Sequence, residues 1–166
     1  MDHSKMKVLG RVVVRSLTLA LCVTLTACMT LKMMISKPGI HHLAFPEEVA
    51  AEYDCAKRKL PFFAIETNEL RPSHPKRGGQ LKHRFVYVLC PSVPTESIDG
   101  KLTTRILHKA RALKTDESSF SLEEGRWVIN TSIILPEETA PGAYALDIRF
   151  KSKQGDLVAT APFVIE

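Results

Sequence analysis

Cysteine and histidine are the residue types of this chain whose chemistry could support nucleophilic catalysis or metal binding. Beyond residue 27 the sequence holds three cysteines (Cys28, Cys55 and Cys90) and five histidines (His41, His42, His74, His83 and His108). Their spacing matches no zinc motif, and neither Cys55 nor Cys90 lies in a catalytic signature. We therefore expect no catalytic residue, no metal site and no cofactor. A hydrolase that pairs one of these cysteines with a histidine is the least favoured alternative.

Acidic residues occur in adjacent pairs at 116–117, 123–124 and 137–138. A catalytic pair of carboxylates needs one member in an apolar setting, and none of these pairs has such a neighbourhood in the sequence. No Gly-x-Ser-x-Gly motif and no phosphate-binding glycine loop occurs either. These pairs are interpreted as solvated turns, and the sequence predicts that the protein is not an enzyme.

A basic segment extends from residue 71 to residue 84 and contains no acidic residue. Its five cations are Arg71, Lys76, Arg77, Lys82 and Arg84. We interpret residues 71–79, which hold two prolines and two glycines, as an exposed loop. Such a contact loop could meet lipid headgroup phosphates or an acidic partner, and the alternative is a loop whose charges serve only solubility. Because no aromatic residues alternate with the cations, we expect no nucleic-acid partner.

The N-terminus has the pattern of an export signal. Residues 1–15 are polar and basic, and residues 16–27 are uncharged and largely apolar. The last of these residues form the segment Leu25-Thr26-Ala27-Cys28, which resembles the lipobox of bacterial lipoproteins. The resemblance implies that residues 1–27 are a signal peptide, and that Cys28 becomes the N-terminus and carries acyl chains such as palmitate. The residue after the cysteine is Met29 and not an aspartate, a pattern that resembles lipoproteins sorted to an outer membrane. The resemblance implies a domain that faces the periplasm.

An uncleaved membrane helix is the alternative to the lipid anchor. Residues 29–35 stay apolar around a single charge, Lys32, whereas a lipoprotein tether is usually polar. Only 16 uncharged residues separate Arg15 from Lys32, and a spanning helix needs about 20. The alternative would anchor the domain in the inner membrane. Both interpretations predict an exported domain that is tethered to the cell envelope.

Removal of the leader changes both the charge and the cysteine count. The whole chain has a net charge of +5, but residues 1–27 hold four of its 23 basic residues and one of its 18 acidic residues. The remaining balance is too small to indicate nucleic-acid binding. Cys55 and Cys90 remain as a pair in an oxidising compartment, which favours a disulfide. The alternative is two buried free thiols.

The sequence beyond the anchor predicts one domain, with residues 28–45 as a tether and residues 46–166 as the folded part. Pro46, Glu47 and Glu48 suit the first turn of a helix over 46–59. About seven short strands follow, over 62–65, 83–90, 101–113, 120–122, 127–135, 144–151 and 157–165. Residues 101–113 are either one strand or a bent pair of strands, and Asp99-Gly100 is interpreted as a turn. Apolar residues alternate with polar ones along 144–151, as expected for antiparallel strands with one buried face.

The turn before the penultimate strand also carries a resemblance. Gly142-Ala143-Tyr144, placed after Leu135-Pro136, resembles the corner of immunoglobulin-like and fibronectin type III-like domains. The run from Trp127 to Phe150 also resembles bacterial macroglobulin-type and other Ig-like domains. The resemblance covers residues 82–166 and implies that the Tyr144 hydroxyl bonds back to the chain. Leu146 stands where antibody domains have their second core cysteine, so the resemblance implies no disulfide there. The predicted fold class is therefore all-β, an Ig-like antiparallel sandwich preceded by a signal or anchor helix and a short helix.

An anchored sandwich without catalytic residues suggests a non-enzymatic interaction or assembly module. We expect its partners to be the membrane, through the lipid anchor, and an envelope protein. The alternative is a lipoprotein that binds a small ligand or a carbohydrate. With 7% aromatic residues, the chain offers few of the rings that such sites use, so this alternative is less favoured.

Overall fold

The computed structural model describes residues 33–35, 38–94 and 96–166. The chain divides into two compact units, Met1–Thr30 and Leu31–Glu166, and all described residues belong to the second. The predicted signal peptide, the lipobox with Cys28 and the apolar stretch of the alternative anchor up to Lys32 therefore lie outside the described residues. Within the described part of the chain, no helix is long and apolar enough to cross a membrane.

The described residues form nine strands, one α-helix and one short 3₁₀ helix. The elements, in chain order, are β1 (Met34–Ile35), β2 (Gly39–Ala44), α1 (Pro46–Tyr53), the 3₁₀ helix (Cys55–Lys57), β3 (Phe62–Arg71), β4 (Gln80–Cys90), β5 (Ile98–His108), β6 (Arg111–Leu122), β7 (Gly125–Ile134), β8 (Gly142–Ser152) and β9 (Asp156–Ile165).

The strands form two antiparallel sheets. In the first sheet, β4 lies between β3 and β7, and β1 and β2 pair with the other edge of β7. The second sheet has the order β6-β5-β8-β9. Buried apolar residues of both sheets, such as Phe85, Ile129, Leu146 and Phe150, form one core between them. The predicted all-β architecture of two antiparallel sheets is confirmed.

The last hairpin forms as its alternating sequence predicts. Tyr144, Leu146, Ile148 and Phe150 of β8 face the core and are buried, and the residues between them face outward, although Asp147 is buried there by its neighbours. The turn at residues 153–155 is held by the Ser152 hydroxyl, which accepts from the backbone N–H groups of Gln154 and Gly155. This period-two pattern places one face of each strand against the core.

The predicted turn at Asp99-Gly100 is wrong, because β5 runs through both residues. A Cβ at position 100 would lie 2.5 Å from Cζ of Phe150. The glycine therefore makes room for a core ring on the neighbouring strand instead of reversing the chain. The chain reverses at Lys109 and Ala110, which have φ values of 49° and 64°.

Two further boundaries differ from the sequence-based expectation. Strands β1 and β2 lie within residues 28–45, which were predicted to be a tether, and they pair with the otherwise open edge of β7. Strand β3 continues to Arg71, so the loop to β4 covers only residues 72–79. Arg71 is therefore a strand residue opposite Lys82 of β4.

Helix α1 packs on the outer face of the first sheet and begins at Pro46 as predicted. It ends at Asp54, whose φ of 52° is left-handed, and a 3₁₀ helix replaces the predicted last turns. Val49 is 1% exposed and packs with Val88 and Cys90 of β4. A disulfide joins Cys55 to Cys90, which confirms the favoured alternative and ties the 3₁₀ helix after α1 to the last residue of β4.

An ionic cluster fixes the other side of α1 to the same sheet. Arg126 of β7 donates to Glu52 of the helix at 2.7 Å and to Glu66 of β3 at 2.8 Å, and the Tyr53 hydroxyl donates to Glu66 at 2.7 Å. Burial alone would raise the pKa of Glu66, but the hydrogen bonds from Arg126 and Tyr53 and the charge of Arg126 lower it. The carboxylate therefore stays ionised against its guanidinium partner.

Tyr144 makes the contact that the resemblance to Ig-like corners implies. Its hydroxyl donates to the Ala140 carbonyl at 2.7 Å. Its ring stacks on Phe163 and on His108, at centroid distances of 5.5 and 4.4 Å. Gly142, with a φ of +142°, brings the chain close to the same histidine, since a Cβ there would lie 3.2 Å from His108 Cε1.

Removal of the disulfide is expected to destabilise the domain. The bond closes a loop with a sequence separation of 35, so the double variant Cys55→Ala/Cys90→Ala should lose about 4 kcal/mol of unfolding free energy on the chain-entropy model. Urea unfolding of detergent-solubilised protein measures the change, and wild type unfolded with reductant is the matched control. A difference below about 1 kcal/mol in both samples would contradict this expectation.

Candidate functional site: a basic groove on the first sheet

A groove of about 470 Å³ lies on the outer face of the first sheet, at the end of the strands that α1 does not cover. Outward-facing side chains of β3, β4 and β7 line it. They are Glu69, Arg71, Lys82, Arg84, Asn130 and Ser132. We call this surface the basic groove.

The register of three strands brings these side chains together. Lys82 lies between Arg71 of β3 and Ser132 of β7, and Arg84 lies between Glu69 and Asn130 in the next row. Leu81, His83 and Phe85 are buried on the inner side of β4, so the residues between them must face outward. The groove is therefore a direct consequence of strand alternation.

Its charge is mostly uncompensated. Arg71 pairs with Glu69 at 3.2 Å, and these side chains are 81% and 51% exposed, so the pair contributes little stability. Within residues 33–35, 38–94 and 96–166, no carboxylate forms a salt bridge with Lys82 or Arg84. Both cations are exposed and can pair with an anionic group of a partner.

Three of the five cations predicted to share a contact loop lie in this groove, and all three are on strands. Arg71 ends β3, while Lys82 and Arg84 belong to β4. Lys76 and Arg77 lie in the loop of residues 72–79. That loop is bound to the chain after β7, since Leu135 N–H donates to the Gly79 carbonyl at 2.9 Å.

Glu69, Asn130 and Ser132 were not predicted from the sequence as groove residues. In the predicted strand over 127–135, apolar residues occupy most odd-numbered positions, and Ile129 and Ile133 are buried. Their even-numbered neighbours Asn130 and Ser132 could have been assigned to the outer face from that pattern. Their position beside Arg84 and Lys82 could not, because it depends on the register between two strands.

His83 lies beneath the groove on the inner side of β4 and is 2% exposed. Its Nε2 is 2.9 Å from Asn68 Oδ1 and its Nδ1 is 3.3 Å from Thr131 Oγ1. Burial lowers its pKa to about 4, so the neutral ring donates to Asn68 and accepts from Thr131. The histidine links β3, β4 and β7 under the basic residues.

His42 and the two cysteines have structural contacts instead of reactive ones. His42 packs against Phe45 and Trp127, with ring centroids 4.7 and 4.8 Å apart. In the part of the chain that the structure describes, no group of three His, Cys, Asp or Glu could hold a metal ion. The disulfide occupies both Cys55 and Cys90, so neither sulfur is a free nucleophile.

Asp147 forms a second charged cluster, on the outer face of the second sheet. It is 3% exposed, and it accepts from Arg105 Nε at 2.9 Å, from Arg149 Nε at 3.0 Å and from the Thr160 hydroxyl at 3.1 Å. Burial would raise its pKa, but these hydrogen bonds and the charge of Arg105 lower it. Since its carboxylate oxygens are already engaged, the cluster joins strands β5, β8 and β9 and presents no reactive group.

A smaller cavity of about 220 Å³ lies between the two sheets. Apolar side chains such as Phe85, Leu102 and Ile148 line it, with Asp116 and Glu117 also in its wall. Sites for drug-sized ligands have volumes of about 300–1,000 Å³. The cavity is smaller than these sites, and the basic groove is the larger of the two spaces.

Comparisons with known proteins identify no family. No family model matches the chain, and no curated protein matches its sequence. A β-glucosidase from Listeria innocua is similar over 65% of this chain and 16% of its own, with 11% identity and a TM-score of 0.45. An alkylpurine DNA glycosylase from Pseudomonas fluorescens is similar over 63% of this chain and 30% of its own, with 15% identity and a TM-score of 0.43.

A CARDB domain from Pyrococcus furiosus is similar over 64% of this chain and 89% of its own, with 14% identity and a TM-score of 0.46. The chain thus spans less than a third of the length of the two enzymes. At these identities and TM-scores, none of the three similarities carries an argument about this chain.

Because His83 is neutral when folded, the stability of the domain should fall as the pH falls. An unfolded histidine titrates near 6.5 and the folded His83 near 4, so the unfolded chain binds the extra proton first. Between about pH 7.5 and about pH 5 the unfolding free energy should drop by about 2 kcal/mol.

Urea unfolding at the two pH values measures this slope. His83→Gln should be less stable at both values but should lose most of the pH dependence. His74→Gln, in the exposed loop, is the matched control and should retain it. Equal slopes in wild type and His83→Gln would show that another group is responsible.

Proposed function

We propose that this chain is a lipid-anchored protein of a bacterial cell envelope, with an Ig-like sandwich that acts as a non-enzymatic interaction module. In this proposal the basic groove binds an anionic component of the envelope. The observation that carries it is the presence of Lys82 and Arg84, exposed and without salt bridges among the described residues, on a sheet surface held by three strands.

A rigid sheet surface is well suited to recognition. The groove side chains project from β3, β4 and β7, whose relative positions are set by backbone pairing and by His83 beneath them. Binding would therefore require little ordering of the backbone, which lowers its entropic cost. Guanidinium and ammonium groups so placed suit carboxylates and phosphates.

The Ig-like assignment rests on the sandwich and on its corner. Two antiparallel sheets share one core, and the Tyr144 hydroxyl binds the Ala140 carbonyl four residues upstream. A tyrosine at this position of the penultimate strand is typical of Ig-like domains. The fold by itself indicates no activity, because the same sandwich serves many functions.

The non-enzymatic character is supported by the state of the reactive groups. The disulfide leaves neither Cys55 nor Cys90 as a thiol for a Cys/His hydrolase. His83 and Asp147 are buried and bonded to neighbouring side chains. For the small-ligand alternative, the cavity between the sheets has only about 220 Å³.

The anchor can be tested by metabolic labelling with palmitate. Wild-type protein should incorporate the label and lose residues 1–27, because Cys28 is the residue that the lipobox resemblance assigns to acylation. Cys28→Ser should not be labelled and should keep its leader, with intact mass as the readout. Cys22→Ser, inside the leader, is the matched control. Equal labelling and processing of wild type and Cys28→Ser would refute the lipid anchor.

The groove can be tested by photo-crosslinking in intact cells. A benzophenone amino acid in place of Asn130, which is exposed beside Arg84, should form adducts with an envelope component. Val158 faces outward from the second sheet and is 57% exposed, so the same probe there is the control. Adduct yield at position 130 should exceed that at position 158 by about fivefold, and Lys82→Glu/Arg84→Glu should remove the excess. Similar yields at both positions would exclude the groove as the contact surface.

A further inference from the structure

We propose that the partner of the basic groove is the anionic surface of the membrane to which the chain is tethered, so that the first sheet faces the bilayer with the end of its outer face that α1 leaves uncovered. This inference rests on the lipid anchor of the proposed function. It names the partner of the groove and the orientation of the domain. Three features of the structure support it: where the tether enters the fold, which apolar residues lie there, and how the charges are arranged.

The tether enters the fold beside the groove. Met34 of β1 pairs with Ile134 at the end of β7, and Ser132 of the groove is two residues away on the same strand. This separation is about 7 Å at the rise of a β-strand. Cys28 lies six positions before Met34, and even a fully extended chain over those six steps spans only about 21 Å. A lipid on Cys28 would therefore hold the groove end of the first sheet near the membrane.

Two large apolar side chains are exposed at this entry point. Met34 is 55% exposed and Ile134 is 47% exposed, and they are direct partners across the β1–β7 pair. Ile133 is buried, so Ile134 and Met34 face the outer side, which is also the side of Lys82. This apolar pair and the basic groove therefore belong to one continuous surface.

The combination of apolar and basic residues favours a bilayer over a soluble acidic partner. A membrane interface offers anionic phosphates at its surface and acyl chains just below. Met34 and Ile134 can enter the apolar boundary while Arg71, Lys82 and Arg84 meet phosphates. Lys76 and Arg77, in the loop that follows β3, add cations at the same end of the sheet. A soluble polyanion would use the cations but would leave the apolar pair in water.

The test uses the full-length lipidated protein reconstituted into vesicles of phosphatidylcholine alone or with about one third phosphatidylglycerol. Benzophenone probes at positions 130 and 158 report which face touches lipid, and lipid adducts are measured by mass spectrometry. In the anionic vesicles, adduct yield at position 130 should exceed that at position 158 by about fivefold. In the neutral vesicles, or at about 1 M salt, most of that excess should disappear because the attraction is screened.

Charge variants separate the groove from general charge effects. Lys82→Glu/Arg84→Glu should reduce the excess at position 130 at least about fivefold. Lys151→Glu/Lys153→Glu changes the net charge equally at two exposed positions, one at the end of β8 and one in the turn that follows it, and should leave the excess unchanged. Circular dichroism confirms that each variant is folded, and the comparison of vesicle composition needs no change to the cations of the groove.

The outcomes distinguish the inference from the proposed function. If the protein floats with both kinds of vesicle but yields at positions 130 and 158 are equal or independent of lipid charge, the membrane contact is wrong and the anchored module stands. If position 130 crosslinks a protein in cells and no lipid in vesicles, the groove belongs to a soluble or membrane-bound protein partner. If the processed protein fails to float with either kind of vesicle, the anchor itself is wrong and both proposals fall.

Discussion

The pairing of β4 with β7 is the constraint on which the core and the groove both depend. The two strands are in register from Gln80 opposite Ile134 to Leu89 opposite Gly125. Because side chains alternate, this register turns Leu81 and Phe85 inward and Lys82 outward. A slip by one residue would bury the cations and expose the core. The same register therefore fixes the basic surface and the hydrophobic core, because any shift of β4 against β7 would displace both sets of side chains.

The outer face of the first sheet is used differently at its two ends. At one end, α1 covers Val88 and Cys90, and the disulfide and the Arg126 cluster hold the helix in place. At the other end no helix covers the strands, and polar and basic side chains line an open groove. The covered end of the sheet therefore contributes to stability, and the open end offers a surface for contact. His83 joins the strands beneath the open end with side-chain hydrogen bonds.

Local patterns in the sequence predicted those parts of the fold that depend on local physics. The alternation along β8 and the start of α1 at Pro46 follow from strand periodicity and from the first-turn preferences of proline and acids. Gly100 was misassigned because its role depends on the ring of Phe150, which is distant in sequence. Strands β1 and β2 could not be predicted as easily, because short, exposed segments become strands here only by pairing with β7.

The candidate site likewise has one part that the sequence predicts and another part that depends on contacts between distant residues. Charge composition identified Lys82 and Arg84, whereas the depth of the groove and the inclusion of Asn130 come from strand register. The burial of His83 and Asp147 likewise depends on contacts with residues that are distant in sequence. Asn68 is bonded to His83, and Arg105 is bonded to Asp147.

Strands β1 and β2 close an edge of the first sheet as well as leading to the proposed anchor. Without them the N–H and C=O groups along β7 would form an open template onto which another copy of the chain could add a strand. The segment that would connect the domain to the membrane thus also covers the β7 edge and prevents another copy of the chain from pairing with it. If the proposed anchor holds, a protease that cut between β2 and α1 would release the domain once β1 and β2 left β7, and the exposed edge of β7 would then favour aggregation.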